Sequence, residues 1–253
     1  MLAEVLSFNV FALLLVVTRV GALFMLLPGF SAPYVSIRIR LMLAVAVSLA
    51  LLPLLAERLP ALPAEPAGLA VLLLGETVIG VFLGTVARVL FAGLHAAGTF
   101  ASFFMSLANA LSNDAVAESQ ASTVAGLFGT LGMVLVFVTD LHHVLLRAVA
   151  GSYALLPAGQ PLPVGDLAET LGRALAESFV LALQMAAPFL VLAFTYHLGV
   201  GLLSRLMPQL PVFFFGLPIQ ISLQIWVLML TLSAVLLAFL GRFAETMAMF
   251  AGG

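Results

Sequence analysis

The sequence predicts an all-α polytopic membrane protein of long kinked helices and helical hairpins, with about six membrane segments. Three observations carry this. Of 253 residues, 64% are hydrophobic and only 8% are charged, against roughly 25% charged in a soluble domain. Apolar stretches of spanning length recur along the whole chain, where one crossing needs about 20 residues. Proline-rich or polar breaks separate them.

The first segment covers residues 8–30 and ends at Pro28 and Gly29. Glu4 stands where a signal peptide would carry a basic region, so this segment is expected to be retained. A short loop with Arg38 and Arg40 leads to the second segment, 41–56, bounded by Pro53. The proline-rich connection 57–68 follows. Residues 69–105 are apolar for nearly twice a membrane thickness, which predicts one long kinked helix or a helix pair. Residues 123–156 form a further long apolar stretch, and PAGQPLPVGD (157–166) is a turn. A helix over 167–207 starts amphipathically. There Glu169 and Arg173 have the favourable i,i+4 order, and Arg173 and Glu177 the less favourable one. PQLPVFFFGLP (208–218) breaks the helix with three prolines, and 219–240 is the last segment.

All nine basic residues are arginines. Their placement at 38, 40 and 205 puts the first loop and the 208–218 turn on the cytoplasmic side. Six crossings with both termini outside satisfy this, with 69–156 as one long hairpin. The net charge of -2 points away from nucleic acid. The chain has no cysteine, which excludes disulfide and thiolate chemistry. No Walker-type loop and no GxSxG elbow is present, so neither nucleotide hydrolysis nor serine catalysis is expected.

Arg19, Glu76, Arg88, Asp140 and Arg147, with His95, His142, His143 and His197, lie within apolar stretches. A charge at the bilayer centre costs roughly 2.5–3.5 kcal/mol on insertion scales, so such groups are expected to face protein or water. Glu76, Gly80, Gly84 and Arg88 recur every four residues on one helix face. Gly80 and Gly84 form a GxxxG that admits a close helix neighbour. That neighbour is either another subunit or another helix of the same chain. In TDLHHVLLRAV, adjacent histidines on a helix diverge by about 100°, whereas helical zinc pairs use i,i+4, so no metal is expected.

One stretch is out of keeping with the rest. SLANALSNDAVAESQAS (106–122) is small and polar, with Ser106, Asn109, Ser112, Asn113, Asp114, Glu118, Ser119 and Gln120. Frayed backbone at membrane depth is tolerated only inside protein or against a water-filled cavity.

The order of features resembles the FliR family, export-gate subunits of the flagellar type III secretion apparatus, with virulence-secretion homologues. The resemblance covers nearly the whole chain. It rests on Arg19 before Pro28, VSIRIRLMLAVAVSLALLP, GETVIGVFLG with Glu76, Gly80 and Gly84, and SRLMPQLPVFFFGLP with Arg205, Pro208, Gln209, Pro211, Phe213, Phe214, Gly216 and Pro218. Gly216 before Leu217 and Pro218 favours the flagellar branch over the virulence one. The resemblance implies a structural and gating subunit with no cofactor and no catalysis. It implies a bacterial inner-membrane location in the flagellar basal body. FliP-like and FliQ-like subunits would join it in a closed helical assembly that sits partly above the membrane plane. Residues 1–166 would be FliP-like and 167–253 a FliQ-like hairpin. The 205–218 turn would face the cytoplasm near an FlhB-like protein. Glu76, Gly80, Gly84 and Arg88 would pack against neighbouring subunits, and 106–122 would plug the channel against unfolded export substrates. Many relatives carry proline after the loop aspartate, whereas Ala115 follows Asp114 here.

Two other classes compete with this. A proton-coupled secondary transporter would use Glu76, Asp140 and His142 around a midplane site. An intramembrane enzyme would use Asp140 and the histidines.

Overall fold

A computed structural model describes residues 2–31, 35–107, 122–207, 209 and 212–251; the side chains of 2–9 and 212–215 are not described. Its elements are α1 (Leu2–Leu26), α2 (Ile37–Leu55), a 3-10 turn (Ala56–Arg58), α3 (Pro66–Phe104), α4 (Thr123–Val138), α5 (Leu141–Leu155), α6 (Val164–Leu206) and α7 (Val212–Ala248). The described residues form no strand. Four helices are long and apolar enough to cross a membrane, or five if α4 and α5 count as one broken span. Val10–Leu26 of α1 is a shorter apolar helix.

The helix limits follow local chemistry. Leu27, Pro28 and Gly29 turn the chain after α1, and Gly29 takes φ +85, open to glycine without steric cost. Helix α2 starts earlier than expected, because the Ser36 side chain accepts from the Ile39 amide and caps it. Arg38 and Arg40 therefore lie in its first turn, not in a loop. Pro53 lies inside α2 and does not end it. Residues 66–104 form one helix of 39 residues, which decides between one helix and a pair. The 123–156 stretch is instead two helices. Asp140 takes φ +58 between them, a left-handed turn at a residue type that tolerates it. Glu169 and Arg173 pair at 2.6 Å on the exposed first turns of α6.

The chain divides into two compact units. The first comprises 1–90, 136–175 and 242–253. Its core is set by α1, where Ala12, Leu15, Val16, Arg19, Val20, Leu23 and Phe24 are buried at helical spacing. Ile79, Leu83, Val86 and Leu90 of α3 and Leu145, Val149 and Tyr153 of α5 are also buried in this unit.

The second unit comprises 91–135 and 176–241. Leu94, Ala97, Ala101 and Met105 of α3 are buried, as are Ala182, Met185, Ala186 and Phe189 of α6. Small residues bring helices close. A Cβ at Gly98 would lie 2.5 Å from the Ala125 Cα, and one at Gly93 would lie 2.9 Å from the Ser178 carbonyl oxygen. Phe91 meets Phe239 edge-on at 5.1 Å. Both units take residues from either side of position 166.

Candidate functional site

The first unit is organised by one buried guanidinium. Arg19 is fully enclosed, and its Nε and Nη2 donate to Glu76 Oε2 and Oε1 at 2.7 and 2.9 Å. Its Nη1 donates to the Ser152 hydroxyl at 2.9 Å, and Nη2 also donates to the Leu156 carbonyl at 3.0 Å. The Tyr153 ring lies beneath the guanidinium, 3.7 Å from Cζ. The bidentate pair, the hydroxyl, the carbonyl and the aromatic face together offset the desolvation of the charge. They join α1, α3 and the end of α5.

The glycines complete the same seam. A Cβ at Gly80 would sit 2.2 Å from the Arg19 carbonyl oxygen and 2.8 Å from the Ala22 Cβ. One at Gly84 would sit 2.9 Å from the Leu26 Cβ. The face carrying Glu76, Gly80 and Gly84 is therefore filled by α1 of the same chain. This corrects the expectation that it packs against another subunit. The i,i+4 row identifies a close contact but not the partner, and Arg19 supplies the charge that selects α1. Arg88, one turn further on, is exposed.

The second unit holds the ends of the polar stretch. Helix α3 ends at Phe104, leaving terminal carbonyls without partners inside the helix. Gln220 and Gln224, one turn apart on α7, both donate to the Phe104 carbonyl, at 3.3 and 3.4 Å. Gln220 also donates to the Ser106 hydroxyl at 3.0 Å, and Gln224 to the Phe189 carbonyl at 3.1 Å. Ser106 takes φ +60 and turns the chain out of α3. On the return, Ser122 hydrogen-bonds Ser102 and accepts from the Ala125 amide at 3.3 Å, capping α4. The two ends of the segment are thus anchored to one another through the α3–α4 contact at Gly98. Asn109, Ser112, Asn113, Asp114, Glu118, Ser119 and Gln120 lie outside the described residues. Beside Ser106, a cavity of about 400 Å³ is lined by Phe103, Phe104, Leu190, Phe194 and His197.

The turn between α6 and α7 is shorter than 208–218, because α7 begins at Val212. Phe213, Phe214, Gly216 and Pro218 are therefore helical, and Pro218 lies within α7. The Gly216 carbonyl accepts from the Tyr196 hydroxyl at 2.6 Å, which ties α7 to α6. Arg205 is exposed in the last turn of α6, where a cation complements the helix dipole, and Gln209 is exposed. Pro208 and Pro211 lie outside the described residues, as do the side chains of Phe213 and Phe214.

Of the anchoring residues, Ser122 closes the polar stretch singled out in the sequence, whereas Gln220, Gln224 and Ser102 were not noticed there. Their signal was present in QISLQ, two amides at i,i+4 in an otherwise apolar helix.

Helical segments longer than a bilayer, apolar outside and tied by buried polar contacts, define an all-α polytopic membrane protein. The model of the family described as bacterial export proteins, family 1, matches residues 10–246. The flagellar biosynthetic protein FliR of Caulobacter vibrioides is 34% identical over 244 residues, covering 96% of this chain and 97% of that protein. FliR of Escherichia coli is 29% identical over 229 residues, covering 90% and 84%. FliR of Bacillus subtilis is 28% identical over 174 residues, covering 68% and 67%. The chain belongs to bacterial export protein family 1, the FliR family, and is a subunit of the flagellar export apparatus.

Proposed function

We propose that the chain is a structural and gating subunit of the flagellar export channel in the bacterial inner membrane, and that it catalyses no reaction. One observation carries its place in an assembly. Helices α3, α6 and α7 have 39, 43 and 37 residues. The first turns of α6 are charged, and its exposed apolar face runs from Leu175 to Leu206, about 47 Å at about 1.5 Å per residue, against the roughly 30 Å hydrocarbon core. Holding that face inside lipid would need a tilt of about 50°, beyond the usual 0–40° range. Phe179, Leu183, Leu190, Phe194, Leu198 and Leu202 lie exposed along it. Lipid covers only part of such a stripe, so neighbouring protein covers the rest.

FliP-like and FliQ-like subunits, which the family resemblance implies, fit this need. Arg88, Arg147 and His95 are exposed within apolar helices, which favours burial against protein in the assembly. The exposed Arg205 and Gln209 suit a cytoplasmic docking turn for an FlhB-like protein. The polar stretch 106–122 suits a plug that yields to unfolded export substrates, since both of its stems are held by side-chain contacts.

The absence of cysteine makes a direct test simple. Leu202→Cys and Gln209→Cys, each in the full chain within assembled complexes, are paired with cysteines in the neighbours. The expected products are crosslinks of position 202 to a FliQ-like or FliP-like subunit and of position 209 to an FlhB-like protein. Labelling of position 202 by lipid-soluble reagents alone, with no protein adduct, contradicts the assembly reading.

A further inference from the structure

We infer that Asp140, His142 and His143 form a binding site for a divalent first-row transition ion at the break between α4 and α5. One ligand atom from each residue lies within 4.8 Å of the other two. Ligands at about 2.0–2.1 Å from a tetrahedral ion stand about 3.4 Å apart, so closure needs side-chain movements of about 1 Å.

The geometry differs from the expectation that adjacent histidines diverge. Asp140 is not in the helix: its φ of +58 turns the backbone just before Leu141. Both histidines then fall in the first turn of α5, and their rings stand 4.1 Å apart, tilted by 36°. The Asp140 carboxylate comes to 3.5 Å from His143 Nδ1.

A second observation points to a missing partner. His142 Nδ1 is enclosed by protein and has no hydrogen-bond partner. Enclosed polar atoms are nearly always paired, and an orphan calls for a bound ion or water. The ring is also held in place. It stacks on Phe137 at 5.4 Å, and Phe137 packs edge-on against Phe30, which packs against Phe24. Such support reduces the cost of ordering a ligand.

Asp140 and His143 are 76% and 59% exposed, so an ion reaches the site from outside the chain. Two imidazoles and one carboxylate favour zinc, nickel or copper over magnesium or calcium. Three protein ligands leave a position for water or for a group from a neighbouring chain. The bound ion would pin the break between the two helices.

Zinc is the probe. The full chain, purified in detergent with a tag free of histidine, is titrated calorimetrically with Zn²⁺. The expected result is one ion per chain, with affinity lowered about tenfold or more in His142→Gln/His143→Gln and in Asp140→Asn. Helicity and elution volume show whether the variants retain the fold. X-ray absorption on the zinc-loaded unaltered chain needs no variant, and it should show two imidazoles in the first shell. No saturable binding, binding unchanged in the histidine variants, or a shell without imidazole overturns the site.

Discussion

Arg19 and Glu76 meet in a two-pronged ion pair, 2.7 and 2.9 Å long, with both side chains fully enclosed. They lie 57 residues apart. The contact makes the first helix and the third a single packed element, and it does so where neither charge is tolerable alone. Removing one partner strands the other, at a cost of about 3–5 kcal/mol. Arg19→Ala or Glu76→Ala should therefore lower the thermal midpoint sharply in detergent. The double variant Arg19→Met/Glu76→Leu should recover most of the loss. A double variant as unstable as the singles would show that the network needs the charges themselves.

The glycines of the same seam make a graded prediction. Gly80→Ala places a methyl 2.2 Å from a backbone oxygen that cannot move aside, so it should force α1 and α3 apart. Gly84→Ala meets its nearest side-chain atom at 2.9 Å and should cost less. Gly75→Ala and Gly241→Ala meet nothing within 4 Å, and should be neutral or stabilise by about 0.5–1 kcal/mol through helix propensity. Thermal midpoints of the four variants should follow that order.

Gln220 and Gln224 hold the end of α3 by its Phe104 carbonyl. Replacing both with leucine leaves that carbonyl and the Ser106 hydroxyl without these donors. The expected outcome is an assembled complex with raised ion leakage, because the stem of the proposed plug is no longer fixed. Unchanged leakage in an assembled complex would separate these residues from closure.

Membrane class was legible from composition, with 8% charged residues against roughly 25% in a typical soluble domain. The limit at Gly29 was legible from glycine and proline, and so was a turn over 157–166, although α6 already starts within it at Val164. Pro53 and Pro218 misled, because each lies inside a helix. The break at Asp140 was hidden for the converse reason, as it contains neither residue type. The Glu76, Gly80 and Gly84 face was visible as a row, but its partner was not. A period names a face, and only the pairing with Arg19 says what covers it. Gln220 and Gln224 escaped notice because an amide in an apolar helix declares a need for partners without naming them.

The most direct test of the gating account concerns the polar stretch itself. Residues 109–120 are replaced by a short Gly-Ser bridge, and ion leakage is measured in cells making the complete complex. Assembly is verified by co-purification of the other subunits. The account predicts increased leakage with assembly intact. Leakage no greater than that of the unaltered chain, in a complex shown to be assembled, would contradict a plug at this position.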